Sequence, residues 1–244
     1  MERRQTAFLF DLDGTLVDSV YQHVLAWHEA LEAEGISLSV WRIHRKIGMS
    51  GGLFTNMLLR ETGALALDPE RAERLQKRHA ESYGRRSKEI RPLPGAKELL
   101  AYLTEAGIPW TIATSGRMAT ARPTLDTLGV DPDTVPVVTR DLVKYAKPDP
   151  DLFLAAAGRL GVAIEDSYVV GDSVWDMLAA RRARALGVGV LSGGYGEAEL
   201  ERAGAYRVYE DPLALLNHID EVGGRREGAP RRPPGARTAW DAPG

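Results

Sequence analysis

Short apolar runs recur along the chain, each closed by polar or acidic residues, with helical patterns between them. Thr6 to Phe10 is apolar and stops at Asp11, the pattern of a buried strand. Trp110 to Thr114, Ser167 to Gly171 and Leu186 to Leu191 read the same way, and Val135 to Val138 does so across Pro136. Helical spacing of apolar positions covers Ala96 to Ala106, Met118 to Leu128, Pro150 to Leu160, Val174 to Arg184 and Glu197 to Ala203. Alternating strands and helices predict an α/β fold, with a parallel sheet covered on both faces. Ligands in such sheets bind beyond the carboxyl ends of the strands.

One stretch breaks the alternation. From Ser19 to about Glu89 the pattern is helical only: Val24, Leu25, Trp27 and Leu31 fall near helical spacing, and Leu53 to Arg60 and Pro69 to Tyr83 continue it. Arg91 to Gly95 then re-enters the sheet pattern. Residues 18–90 are therefore expected as an all-helical insert over the strand ends, with crossings near Val17 and Ile90 as hinges. Residues 1–17 and 91–222 form the α/β core. Residues 223–244 hold five Arg, five Gly and four Pro against two acids, and read as a disordered tail.

Composition narrows the chemistry. No cysteine is present among the 244 residues, which excludes disulfides, thiolate metal sites and cysteine nucleophiles. The net charge is −3, so no general nucleic-acid-binding surface is expected; an Arg-rich tail binding an acidic partner is the exception to test. No apolar run approaches the roughly 18 residues of a membrane span. The first run is too short for a signal peptide, so a cytoplasmic protein without membrane association is expected. Monomer and homodimer are both compatible with the sequence.

Four predicted strand ends carry polar groups. Asp11-Leu12-Asp13-Gly14-Thr15 places two acids two positions apart, beside a glycine that permits a sharp bend. Thr114-Ser115-Gly116 precedes a helix, and hydroxyls with free N–H groups at a helix start suit an anion. Lys147-Pro148-Asp149-Pro150 leads into another helix, with Pro150 suited to a helix start. Gly171-Asp172-Ser173 begins a third, with Asp176 one turn on and Ser173 as its N-cap. Gathered together, Asp11, Asp13, Asp172 and Asp176 need a cation, and hard oxygen ligands in this number suit Mg²⁺ shared with a phosphate. A carboxylate about 4 Å from each phosphate charge would otherwise be repelled by roughly 4 kcal/mol at an effective dielectric of 20. Thr114, Ser115 and Lys147 are the expected phosphate-binding groups. In the insert, His23 and the basic Arg45 and Lys46 are candidates to reach a substrate, and Trp27 is read as core.

These motifs, in this order, resemble the haloacid dehalogenase superfamily of Asp-nucleophile phosphohydrolases, over residues 6 to about 215. The resemblance implies a Rossmann-like core with a C1-type helical cap. It implies Asp11 as nucleophile, forming an aspartyl-phosphate, and Asp13 as general acid and then base. Mg²⁺ would be held by Asp11, Asp172, Asp176 and the backbone carbonyl of Asp13. Within the superfamily, Asp13 argues for phosphate-ester chemistry rather than dehalogenation. His23 and Trp27 match the start of a β-phosphoglucomutase-like cap. Against a mutase stand Thr15, Gly171 and Asp176, and Gly51 where mutases place an arginine. The nearest label is a phosphoglycolate-phosphatase-like hydrolase of small phosphorylated molecules. Alternatives are a sugar-phosphate mutase and a catalytically silent protein that binds a phosphorylated metabolite.

Overall fold

The computed structural model describes residues 6–61 and 69–224. In chain order the elements are β1 (Ala7–Phe10), β2 (Val17–Asp18), α1 (Val20–Glu32), α2 (Val40–His44), α3 (Gly51–Glu61), α4 (Pro69–Arg86), β3 (Arg91–Pro92), α5 (Ala96–Glu105) and β4 (Trp110–Ala113). There follow α6 (Met118–Leu128), β5 (Val137–Val138), α7 (Asp151–Leu160), β6 (Ser167–Gly171), α8 (Val174–Ala183), β7 (Leu186–Val190), α9 (Glu197–Ala203), β8 (Ala205–Tyr209) and α10 (Pro212–Asn217). No helix among the described residues is long and apolar enough to cross a membrane. Apart from Gly223 and Gly224, the stretch expected as a tail lies outside the described residues.

Six strands form one parallel sheet in the order β5-β4-β1-β6-β7-β8. Strand β1 is central and wholly buried. Its side chains alternate between two cores, as the period of a strand requires. Phe8 and Phe10 pack with Leu99, Leu103, Leu125 and Leu215 on one face, and Leu9 packs with Ala113, Phe153, Val169 and Ala180 on the other. Apolar residues on both faces of a parallel strand explain the unbroken hydrophobic runs. The register pairs Phe10 with both Ile112 and Val170, so the carboxyl ends of β1, β4 and β6 stop at one level.

Helices α1 to α4 carry a core of their own, with Val24, Trp27, Leu31, Ile43, Phe54, Leu58 and Leu75 buried together. The two crossings run side by side as the antiparallel pair β2 and β3, Val17 opposite Pro92. The pattern did not anticipate β8. It is an edge strand with Arg207 exposed at its centre, so its apolar content is that of one face only. Strand β5 is shorter than expected because Pro136 has no N–H for the ladder; its carbonyl accepts instead from Thr111 Oγ1 at 2.5 Å.

Candidate active site

The backbone of Asp11 continues the sheet by donating to the carbonyl of Val170 at 2.8 Å, which plants its side chain at the sheet's central strand end. Beside it lie Asp172 and Asp176. One carboxylate oxygen from each of the three falls within 4.8 Å of the others, and all three residues are buried. Gly14 at φ 84° makes the turn that folds the loop over them, and Gly193 approaches Asp172 so closely that a Cβ there would overlap its carboxyl group. Thr15 Oγ1 donates to Asp172 Oδ1 at 3.1 Å. Ser173 caps α8: its N–H donates to Asp176 Oδ2 at 3.1 Å and Asp176 N–H returns to Ser173 Oγ at 3.4 Å.

Among the described residues, one ammonium meets this group. Lys147 is fully buried, donates to Asp11 Oδ1, and stands 2.7 Å from Asp176 Oδ1 as an ion pair outside hydrogen-bond alignment. Three buried carboxylates against one ammonium leave negative charge unbalanced. Burial raises Asp11 to about 7, the Lys147 charge pulling it down and Asp176 and Asp13 adding to the rise. Burial and the neighbouring Asp176 and Asp11 lift Asp172 well above the carboxylate range. Burial disfavours the Lys147 ammonium, but the charges of Asp11 and Asp176 outweigh it and hold the proton on.

Asp13 lives in a different environment. Its Oδ1 accepts from Ser19 Oγ at 2.6 Å and from the Tyr83 hydroxyl at 3.4 Å, and lies 3.3 Å from His23 Nε2. Burial pushes this carboxyl up, but the His23 charge and the hydrogen bonds from His23 and Ser19 outweigh it and leave it below its usual value. Two acids two positions apart are thus driven in opposite directions.

Both face a cavity of about 380 Å³ between the strand ends and the helical insert. The core wall contains Thr114, Ser115, Arg117 and Arg140, and the insert wall His23, Trp27, Lys46, Phe54, Gln76 and His79. The insert is seated on the core: Ser50 N–H donates to the Lys147 carbonyl at 3.2 Å, and Ser115 Oγ to the Gly48 carbonyl at 3.0 Å.

Of the residues expected at the site, Asp11, Asp13, Thr114, Ser115, His23 and Lys46 line the cavity, and Asp172, Asp176 and Lys147 stand behind Asp11. Their partners add detail. The Asp13 carboxylate does not join the three-acid group, because Ser19 and His23 turn it toward the insert. The Ser115 hydroxyl is engaged by Gly48, and Thr114 Oγ1 accepts from Gly116 N–H at 3.0 Å. Lys46 is ion-paired with Glu61 at 2.6 Å. Arg45 turns away from the cavity. Its guanidinium grips Glu199 through both nitrogens and covers the Tyr195 ring at 4.2 Å, so it joins α2 to the core. Trp27, read as core, is buried and also lines the cavity. His79, Gln76 and Tyr83 were not anticipated. Their signal lies in the stripe Gln76, His79, Ala80, Tyr83, which is helical spacing hidden in a highly charged helix.

The three-acid group fits a hard divalent cation. It offers only carboxylate oxygens, all buried, with an unbalanced negative charge that Lys147 alone does not cancel.

The family model for haloacid dehalogenase-like hydrolases matches residues 5–184. A crystal structure of a hydrolase from Pseudomonas syringae is 60% identical and superposes with a TM-score of 0.87, covering 89% of this chain and 99% of that one. Among curated proteins, hexitol phosphatase A of Escherichia coli is 37% identical over 70% of this chain and 76% of its own length. A phosphoglycolate phosphatase of Caulobacter vibrioides is 33% identical over 80% and 83%. With the parallel sheet, the acids at its carboxyl edge and a family match over most of its length, this chain belongs to the haloacid dehalogenase-like hydrolases.

Proposed function

We propose that this hydrolase cleaves small phosphomonoesters, of sugar-phosphate or phosphoglycolate type, through an aspartyl-phosphate on Asp11, in the presence of Mg²⁺. One observation carries the reading: Asp11, backed by Asp172, Asp176 and Lys147, faces the same cavity as Asp13 at the carboxyl end of the central strand. Two carboxylates on one enclosed cavity, one held beside a buried lysine and the other hydrogen-bonded from the insert, can serve as a nucleophile and an acid–base group.

Asp11, at the end of the central strand, attacks phosphorus, and the ester oxygen leaves with a proton from Asp13. Splitting hydrolysis into two steps lets one site run both. Asp13 then takes a proton from the water that cleaves the acyl phosphate, and its own hydrogen bonds hold it in place for both transfers. Lys147 and the Thr114 to Gly116 turn set positive charge and N–H donors around the phosphoryl oxygens. Asp11, Asp172 and Asp176 would hold Mg²⁺, which supplies the positive charge that keeps these carboxylates ionised beside a phosphate.

Helices α1 to α4 act in this reading as a cap that shuts water out around the ester. The cavity of about 380 Å³ falls in the range of small-molecule sites, so the substrate is a free metabolite rather than a macromolecule. The relatives named hexitol phosphatase A and phosphoglycolate phosphatase support the same class. The test is phosphate release from a panel of sugar phosphates, phosphoglycolate and nucleotides, with and without Mg²⁺, beside Asp11→Asn. Mg²⁺-dependent release lost in Asp11→Asn upholds the reading. Isomer conversion without release, in the presence of a sugar bisphosphate, would assign a mutase instead.

A further inference from the structure

We propose that His79 is a positioning residue for the proton-transfer carboxylate Asp13, acting through His23 across the α1–α4 contact. The assignment rests on the acid–base role given to Asp13 above.

The chain of contacts is continuous. His23 Nε2 lies 3.3 Å from Asp13 Oδ1, and the other ring nitrogen, Nδ1, lies 3.1 Å from His79 Nε2. An imidazole that turns one nitrogen to a carboxylate has its tautomer and rotation set by the partner of the other nitrogen. Here that partner is a second imidazole. A hydrogen bond between two imidazoles at this distance holds Nδ1 of the first ring, so the second ring fixes the rotation that aims Nε2 at the carboxylate. The plane of His23 is set separately. The Tyr83 ring stacks on it with centroids 3.9 Å apart and 6° between planes. His79 is itself wedged flat against Trp27, at 4.2 Å and 16°. Burial, and then the His23 charge, hold its ring well below the ordinary histidine range, so it stands neutral and able to give or accept one hydrogen bond.

The consequence falls on the carboxylate. Ser19, His23 and Tyr83 all approach Oδ1 of Asp13. With Oδ1 held by these three, Oδ2 is the oxygen placed for proton transfer. Only Ser19 comes from the β2–α1 junction; His23 comes from α1 and Tyr83 from α4, and His79 ties the two helices together at the ring nitrogen. The acid–base group is thus aligned by the insert rather than by the sheet that carries it. A plainer account makes His79 a packing ring between Trp27 and Tyr83, and the two accounts separate by experiment.

His79→Phe keeps the stack and removes the nitrogen, whereas His79→Gln restores a polar atom near Nε2. The variants are compared by kcat/KM for para-nitrophenyl phosphate, whose leaving group needs no acid, and for the alkyl phosphate hydrolysed best. The His23 ring nitrogens are read by ¹⁵N NMR. A positioning role lowers kcat/KM for the alkyl ester about 10- to 100-fold in His79→Phe, leaves the aryl ester within about threefold, and is largely rescued in His79→Gln. The His23 Nδ1 signal then shifts in His79→Phe, as its hydrogen-bond partner is lost, and returns toward its wild-type position in His79→Gln. Equal losses on both esters, or no loss on either, would overturn the proposal. If the wild-type protein releases phosphate from no ester, the phosphatase reading falls separately and the nitrogen shifts decide alone. Unchanged shifts then overturn the role of His79, and an altered pattern upholds it.

Discussion

The ammonium of Lys147 stands 2.7 Å from Oδ1 of Asp176, with both side chains at zero exposure, while also bonding Asp11. One buried cation therefore serves two buried anions, and Asp172 adds a third. Removing the only cation from such a group leaves uncompensated buried charge, which costs about 3–5 kcal/mol. Lys147→Ala is expected to lower stability by that order in urea denaturation, and to abolish phosphate release. Lys147→Arg does not restore activity, because a planar guanidinium does not fit a site shaped for a point charge.

The excess of negative charge makes a distinct prediction for pH. The Asp11 carboxyl releases its proton near 3.8 when unfolded and at about 7 in the folded, metal-free chain. Between those values the folded state binds more protons than the unfolded one, so this group's contribution to stability is full below 3.8 and is lost as pH rises through 7. Asp11→Asn lacks the group. The metal-free wild type is expected to lose stability relative to Asp11→Asn as pH rises from about 4 to 7, in paired thermal melts. A difference that stays flat would contradict the charge imbalance.

Adding Mg²⁺ is expected to raise the melting temperature of the wild type, since a ligand that binds only the folded state stabilises it by mass action, about 2.7 kcal/mol at a hundredfold excess over Kd. Gly193→Ala is expected to blunt that rise. Its Cβ would overlap the Asp172 carboxyl group, while the residue's φ lies outside the left-handed region and imposes no backbone strain. The Mg²⁺ concentration for half-maximal shift should increase at least about tenfold, equivalent to roughly 1.4 kcal/mol.

Arg45 and Lys46 are neighbours in sequence with different duties. Arg45 joins α2 to Glu199 and Tyr195, and its pair with Glu199 is more than a third exposed. Exposed pairs contribute about 0–1 kcal/mol, so Arg45→Ala is expected to shift the melting temperature slightly and leave KM within about twofold. Lys46 lines the cavity beside Glu61, and Lys46→Met is expected to raise KM about tenfold, or roughly 1.4 kcal/mol. Steady-state kinetics on the same substrate compare them directly.

The helix cap offers a local test. Ser173 and Asp176 form a reciprocal capping box at the start of α8. Ser173→Ala is expected to cost about 1 kcal/mol. It should cost activity as well, because Ser173 N–H and Oγ, at 3.1 and 2.5 Å, orient the Oδ2 side of Asp176.

Much of this was legible in the residues because it is local chemistry. An apolar strand that stops at an acid, such as Phe10 before Asp11, must end where backbone meets polar surroundings. The register of a parallel sheet then brings Asp11, Thr114 and Asp172 to one edge. Ser173 as a cap, the helical insert and the crossings near Val17 and Ile90 follow from spacing alone. The contacts of the insert do not. Helix α4 carries charge on most of its surface, and the stripe Gln76, His79, Ala80, Tyr83 hidden in it does not say which neighbour that side meets. Arg45 and Lys46 look equivalent in the chain, and α2 sends one to the core and the other to the cavity. Strand ends are determined by local hydrophobicity and hydrogen bonding. The direction of a side chain on an inserted helix is set by which neighbour that helix packs against, and that partner lies tens of residues away.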